Sequence, residues 1–283
     1  GEEAYYWLFS RNLQWGYLDH PPAVAFFSYL GSFLGPGEFG ARLFSSLLST
    51  ATIWFLYDLC GKKHVRLFLF MVVGLLAVHA GSFLIKTDVP LLFFETLFFW
   101  FYKRYVERER WQEVLGVSVA IAGMLLSKYH GVLIVFFTLL SNPKLVFKPS
   151  FWGIVILSLL LLSPHIYWLY LNDWSSFVFH LNDRADISFK TANVVSYLLS
   201  QPLVLGPLVS IPLFIALFKK GVKSDLNRAL KWVFFGVLIF FLFQSFKVFI
   251  HKHWTSVVLV PLMILAFEPL SKSAALGLWL RRL

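Results

Sequence analysis

A single cysteine, Cys60, stands in a chain of 283 residues. That excludes a disulfide framework and any cysteine-rich metal centre. Charge is scarce too: Asp, Glu, Lys and Arg supply 14% of the residues, and 58% are hydrophobic. A soluble domain of this size needs far more polar surface, so the chain reads as a polytopic helical membrane protein. No GxxxxGK[ST] phosphate loop occurs, and no nucleotide cofactor is expected. There is no repeat, low-complexity tract, linker or cleavable signal pattern, which leaves one domain over 1–283. Acids are the minority charge, 15 against 25 Lys and Arg, for a net charge of +10. The bases sit in short loops between apolar runs, as cytoplasmic loops of membrane proteins do, and do not suggest nucleic acid.

What is abundant is apolar and aromatic, with 32 Phe, 11 Trp and 11 Tyr. Runs suited to spanning lie near 39–60, 66–85, 88–103, 150–170, 194–218, 229–248 and 254–270. The stretch 112–141 is either one long span centred on Lys128 or two short arms meeting at 127–131. The positive-inside rule favours the two arms. With Glu2 and Asp19 outside, a hairpin keeps Lys62, Lys63, Arg66, Lys103, Arg104, Lys144, Lys148, Lys219, Lys220 and Arg228 on one inner side; a single span splits them. Residues 2–18 and 21–35 are too polar or too short to cross, and are expected as helices along the outer interface. Pro21-Pro22 fits a helix start after a turn.

This topology gathers acids, bases and imidazoles on the outer face: Glu2, Glu3, Asp19, Lys86, Asp88, Lys128, His180, Arg184, Lys190, Lys247, His251, Lys252 and His253. Acids beside lipid are costly unless they have a task or a partner. Each residue also has a plain structural reading. Glu2 and Glu3 can favour a helix N-terminus through its dipole. Asp19 can be a turn residue, Asp88 an N-cap ahead of Pro90, and Lys86 a snorkelling side chain. Lys128, in an otherwise apolar stretch, reads as functional, with phosphate as its natural partner.

Four segments, taken together and in order, carry a resemblance. Gly-Glu-Glu-Ala-Tyr-Tyr-Trp (1–7), Gly-Tyr-Leu-Asp-His-Pro-Pro (16–22), Lys-Thr-Asp-Val-Pro-Leu-Leu-Phe-Phe (86–94) and Leu-Ser-Lys-Tyr-His-Gly-Val-Leu (126–133) resemble the bacterial branch of the dolichyl-phosphate-mannose protein mannosyltransferases. That branch includes the aminoarabinose transferase of lipid A and has the GT-C fold. The resemblance implies an all-α integral membrane bundle of GT-C type, with 1–38 as an outer-face catalytic loop, 39–283 as transmembrane helices, and a further transmembrane helix ahead of residue 1. It implies transfer of a sugar, with inversion, from a polyprenyl-phosphate donor to lipid A or another glycolipid, a glycan or a protein. The expected place is a bacterial inner membrane, with the site facing the periplasm.

The family pattern Asp-Glu-Ala-x-Tyr puts Glu2 at the catalytic-base position and Glu3 at the following acid, with Glu3 structural or orienting the acceptor. Asp19 is the alternative candidate for the base and matches the acid before Pro-Pro that helps hold a metal, His20 stands where Lys is common, and His180 is the nearest match to a histidine metal ligand. A divalent ion (Mg, Mn or Zn) is therefore expected on Asp19 and His180. Lys86, Lys128, Tyr129, Arg184, Lys247, Lys252 and His253 are the candidates for the donor phosphate, and Asp88 completes the set. Two other classes stay open: a transporter or flippase for lipid-linked sugars, and a non-catalytic subunit that binds them.

Overall fold

In the computed structural model, residues 1–75, 82–180, 190–204, 210–218 and 223–273 are described. Among them every regular element is helical. Two short helices lead, α1 (Glu2–Arg11) and α2 (Ala23–Ser32). Then come α3 (Gly37–Leu59), α4 (Val65–Gly74), α5 (Asp88–Arg108), α6 (Trp111–Ser127) and α7 (Gly131–Ser141). A 3-10 turn at Pro143–Phe147 leads into α8 (Pro149–Leu171) and the one-turn α9 (Ser175–Val178). The chain closes with α10 (Thr191–Val204), α11 (Ser210–Leu217), α12 (Asp225–Ser245), a 3-10 segment Lys252–Val258 and α13 (Leu259–Ser271).

Among the described residues, four helices are long and apolar enough to cross a membrane: Gly37–Leu59, Pro149–Leu171, Asp225–Ser245 and Lys252–Ser271. The chain is an integral membrane protein. Helix α5 falls outside those four because it carries Asp88, Glu95, Lys103 and Arg104, yet it sits deep in the core, with Leu91, Phe99, Tyr102 and Tyr105 buried. Glu95 is fully buried among these, and neither of its oxygens has a hydrogen-bond partner among the described residues.

Polar contacts sort the helix ends into two sets and decide the 112–141 question. Lys128, after α6, returns to the level of Asp88 at the start of α5, with Nζ donating to Oδ1 at 2.9 Å. Lys148, after α7, meets Glu109 at the other end of α5, at 2.6 Å. Arg228 near the start of α12 donates to the carbonyl of Ser141 at 2.7 Å. The chain therefore reverses at 128–130, and a Cβ on Gly131 would lie 2.9 Å from the Met124 Cβ. A single span would have put Ser141 and Lys148 at the opposite end. Arm α7 has 11 residues, about 16 Å of helix, short of a hydrocarbon core of about 30 Å.

Other expected spans are interrupted. The 66–85 run is helical only over Val65–Gly74 before residues outside the described set, and 82–87 are irregular. The 194–218 run appears as α10 and α11, with 205–209 outside the described residues. The 254–270 run begins as a 3-10 segment. The interfacial helix expected over 2–18 stops at Arg11, because the chain must turn to bring Tyr17 back under it. The Tyr17 hydroxyl donates to the carbonyls of Phe9 at 2.9 Å and Asn12 at 3.1 Å, and its ring stacks on Phe9.

Small residues set the closest approaches. Along α6, Gly116, Ala120, Gly123 and Ser127 share a face, and Phe101 and Phe94 of the antiparallel α5 lie on Gly116 and Gly123. Backbone meets backbone where Gly31 of α2 crosses Gly40 of α3: a Cβ on Gly31 would run into the Gly40 carbonyl. Gly31→Ala should therefore destabilise the protein by about 1–3 kcal/mol, the usual cost of overpacking. In a detergent thermal melt its midpoint should fall. Gly153→Ala, whose Cβ would meet only Val114 at 3.8 Å, should leave the midpoint where it was.

Candidate active site

The two leading acids have different surroundings. Glu3 accepts a bidentate pair from Arg42 of α3, Nε at 2.7 Å and Nη2 at 2.6 Å, and the backbone N–H of Ile85 at 3.2 Å. It ties α1 to α3 and to the segment before α5. Glu2, one residue earlier and about 100° around the helix, is exposed and makes no hydrogen bond or ion pair among the described residues. Its charge is felt at Tyr6 and His253. Burial, and then the Glu2 charge, pushes the Tyr6 phenol above its ordinary value.

The Arg42 hydrogen bond holds the Glu3 carboxyl below the ordinary carboxylate value. A depressed folded value means its stabilisation is complete above the unfolded carboxylate value and is lost as pH falls through the folded one. Wild type should therefore lose stability on acidification below about pH 4 more steeply than Glu3→Gln, in melts run from pH 7 to pH 3. Parallel curves would remove this role.

The loop between α1 and α2 is pinned from both sides. The Tyr5 hydroxyl donates to Asp19 Oδ1 at 3.0 Å, and Tyr6 shares a 3.1 Å hydrogen bond with His20 Nε2. His20 Nε2 lies 3.6 Å from Asp19 Oδ2. Ser176 of α9 donates to the Tyr17 carbonyl at 2.8 Å, and His180 Nε2 meets the Asp19 carbonyl at 3.0 Å. A carbonyl only accepts, so that nitrogen of His180 carries the hydrogen.

Asp88 is not a cap. Thr87 holds the N-cap position, and the Asp88 carboxylate instead takes Lys128 Nζ and Ser256 Oγ, both at 2.9 Å on Oδ1. Lys128 is 4% exposed, and its hydrogen-bond partner among the described residues is this carboxylate. Next to it, the Tyr129 hydroxyl lies 3.4 Å from His165 Nε2, and His165 Nδ1 is 2.6 Å from the Trp15 carbonyl. That relay joins the hairpin tip to α8 and to the pinned loop.

A cavity of about 560 Å³ opens beside these groups. Asp19, His20, Lys128, Tyr129, His180 and Lys247 all line it, and its remaining walls are mostly apolar, among them Leu133, Phe240, Phe241 and Trp254. Lys247 is exposed and has no ion pair among the described residues. Six of the sequence candidates thus share one cavity. Glu2, Glu3, Lys86, Asp88, Lys252 and His253 are not on its wall. Of these, Asp88 reaches it through Lys128, Lys86 lies within the field of Glu3, and His253 feels Asp88, Lys128 and Glu2. Arg184 lies outside the described residues.

The metal expectation finds little in the donor set. Among the described residues no group of three or more His, Cys, Asp or Glu side chains is placed to hold a metal ion. His180 turns Nε2 to a backbone carbonyl rather than to the Asp19 carboxylate. Among the described residues these do not make a complete ligand set.

Some partners were missed by sequence reasoning. Sequence reasoning singles out neither Arg42 nor Ser256, and His165 carries no signal in the sequence. Each acts only through a contact distant in sequence: Arg42 with Glu3, Ser256 with Asp88, His165 with Trp15. Gln244, which lines the cavity, was missed for the same reason.

Comparison with known proteins places the chain. The lipid A galacturonosyltransferase RgtD of Rhizobium johnstonii is 23% identical over 282 residues, covering 94% of this chain and 59% of that protein. The crystal structure of ArnT from Cupriavidus metallidurans in the apo state superposes with a TM-score of 0.74 at 17% identity, over 98% of this chain and 56% of ArnT. The ArnT structure bound to undecaprenyl phosphate gives 0.72 at 17% identity, over 95% and 54%. The chain thus spans a little over half the length of these relatives and shares their GT-C-type helical fold. The family described as dolichyl-phosphate-mannose-protein mannosyltransferase matches residues 19–168, more than half of the chain, and the protein belongs to that family.

Proposed function

We propose that this chain carries the donor-binding and catalytic part of a membrane glycosyltransferase, which moves a sugar from a polyprenyl phosphate to a glycolipid acceptor of the lipid A kind. The observation that carries the reading is the single cavity in which a carboxylate, two lysines and three histidines meet walls that are otherwise mostly apolar. An anionic headgroup on a prenyl tail has that mixed chemistry. The names of the relatives supply the lipid acceptor and the undecaprenyl phosphate. Because the basic residues collect at the far end, the cavity is assigned to the periplasmic side of a bacterial inner membrane.

Transfer needs a base, a stabilised leaving group and a site open to both lipid and water. Glu2 is the base of this proposal, because its carboxylate is uncommitted while that of Glu3 is held by Arg42. It takes the proton of the acceptor hydroxyl as that oxygen bonds to the anomeric carbon. The bond from that carbon to the phosphate oxygen breaks, and the electron pair leaves with the polyprenyl phosphate. Lys247 stabilises the departing anion, with Lys128 behind it. Asp19, held by Tyr5, orients the acceptor. A single displacement inverts the anomeric centre.

The test is transfer by purified protein from a panel of radiolabelled polyprenyl-phosphate sugars to a glycolipid fraction, a peptide fraction and a glycan fraction. The anomeric configuration of the product is read by NMR, with and without chelator. Transfer to glycolipid with inversion is expected. Tight donor binding with no bond cleavage for any sugar would move the chain to the transporter or binding-subunit class. Loss of transfer with chelator, restored by a divalent ion, would bring a metal back into the site.

A further inference from the structure

A second cavity, of about 500 Å³, lies at the opposite, basic end of the bundle, between the ends of α3, α5, α11, α12 and α13. Several cations at that end are committed. Arg104 and Lys62 share Asp58, Lys148 holds Glu109, Arg228 pairs with Asp225, and Lys272 pairs with Glu268. Two lysines on the cavity wall are not: Lys103, in the last turns of α5, and Lys231 of α12 have no hydrogen bond or ion pair among the described residues. They come from different helices onto one space. Asp225 and Glu268, also on the wall, are the carboxylates already paired with Arg228 and Lys272. That leaves Glu107 as the one further acid there, so the uncommitted lining charge is two positive against one negative. The inner wall is apolar, built from Leu217, Leu226, Ile264 and Phe267.

We infer that this cavity binds the phosphodiester headgroup of an anionic phospholipid, with Lys103 and Lys231 on the phosphate and the glycerol end of the acyl chains against the apolar wall. The excess positive charge selects an anionic headgroup over a zwitterionic one, and its place at the end of the spans is headgroup level. Basic recesses between helices on the cytoplasmic side are suited to such lipids. The site is separate from the Asp19 cavity and does not depend on the proposed reaction.

The probe is phosphatidylglycerol. Native mass spectrometry of the purified full chain, taken from nanodiscs of phosphatidylcholine with one-fifth phosphatidylglycerol, counts the lipids that stay bound. Wild type and Lys144→Gln, whose lysine lies at the same end but off the cavity, should each retain one phosphatidylglycerol. Lys103→Gln/Lys231→Gln should bind it about 30-fold more weakly, at roughly one kcal/mol per lysine. Lys103→Arg/Lys231→Arg keeps both charges and should retain it, which separates lost binding from lost folding. Equal retention by the double Gln variant, or no preference for phosphatidylglycerol over phosphatidylcholine, would overturn the inference. Displacement of the lipid by an equal concentration of soluble glycerol phosphate would overturn its assignment to a lipid.

Discussion

Glu2→Gln should lower sugar transfer by about 10²- to 10⁴-fold, the usual contribution of a positioned base, while leaving the donor bound. The substitution keeps size and polarity and removes only the ability to take a proton. Glu2 makes no hydrogen bond or ion pair among the described residues, so its loss breaks no internal contact and the protein should melt as wild type does. Glu3→Gln is the contrast. It removes the carboxylate that anchors Arg42 and Ile85, so it should lower stability first and activity through that. Transfer rates at saturating donor, set beside melting midpoints, separate the two. If Glu3→Gln loses transfer with an unchanged melt and Glu2→Gln does not, the roles are exchanged.

The second large effect concerns the Asp88–Lys128 pair. The Lys128 side chain is 5% exposed and that of Asp88 16%, and the pair is completed by Ser256. Taking away one member leaves an uncompensated buried charge, which typically costs about 3–5 kcal/mol. Lys128→Met and Asp88→Asn should each lower stability by that order. The double variant should recover most of the loss, because it removes both charges at once. It should still transfer sugar poorly, since one of the two lysines on the cavity wall is gone. Additive losses in the double variant would mean that the two side chains do not act as a pair.

Most of the architecture was legible because the membrane imposes it. Apolar runs must be helices, and loop charge sets their direction. The charge argument even resolved 112–141, where hydropathy could not, and the contacts of Lys128, Lys148 and Arg228 agree with two arms. Interruptions inside the spans were less legible. An apolar run gives no sign of where a helix stops short, as α4 does at Gly74, or tightens to a 3-10 turn, as at Lys252–Val258. In the site, the residue types were visible but the pairings were not. Lys128 announced itself by its charge in an apolar stretch, but that its partner is Asp88, forty residues away, depends on how α5 and α6 pack through Gly116 and Gly123. Tyr5 and Tyr6 are residue types that suit a membrane interface, and nothing in the sequence shows that their hydroxyls tie to Asp19 and His20.

The most direct measurement is a photo-cross-linking map with undecaprenyl phosphate carrying a diazirine near its phosphate, read by peptide mass spectrometry on the full chain in nanodiscs. The account predicts label on 128–133 and 240–248, competed away by unlabelled undecaprenyl phosphate and weakened in Lys247→Gln. Label confined to the basic-end cavity of Lys103 and Lys231, or spread over the lipid-facing helices without competition, would contradict it.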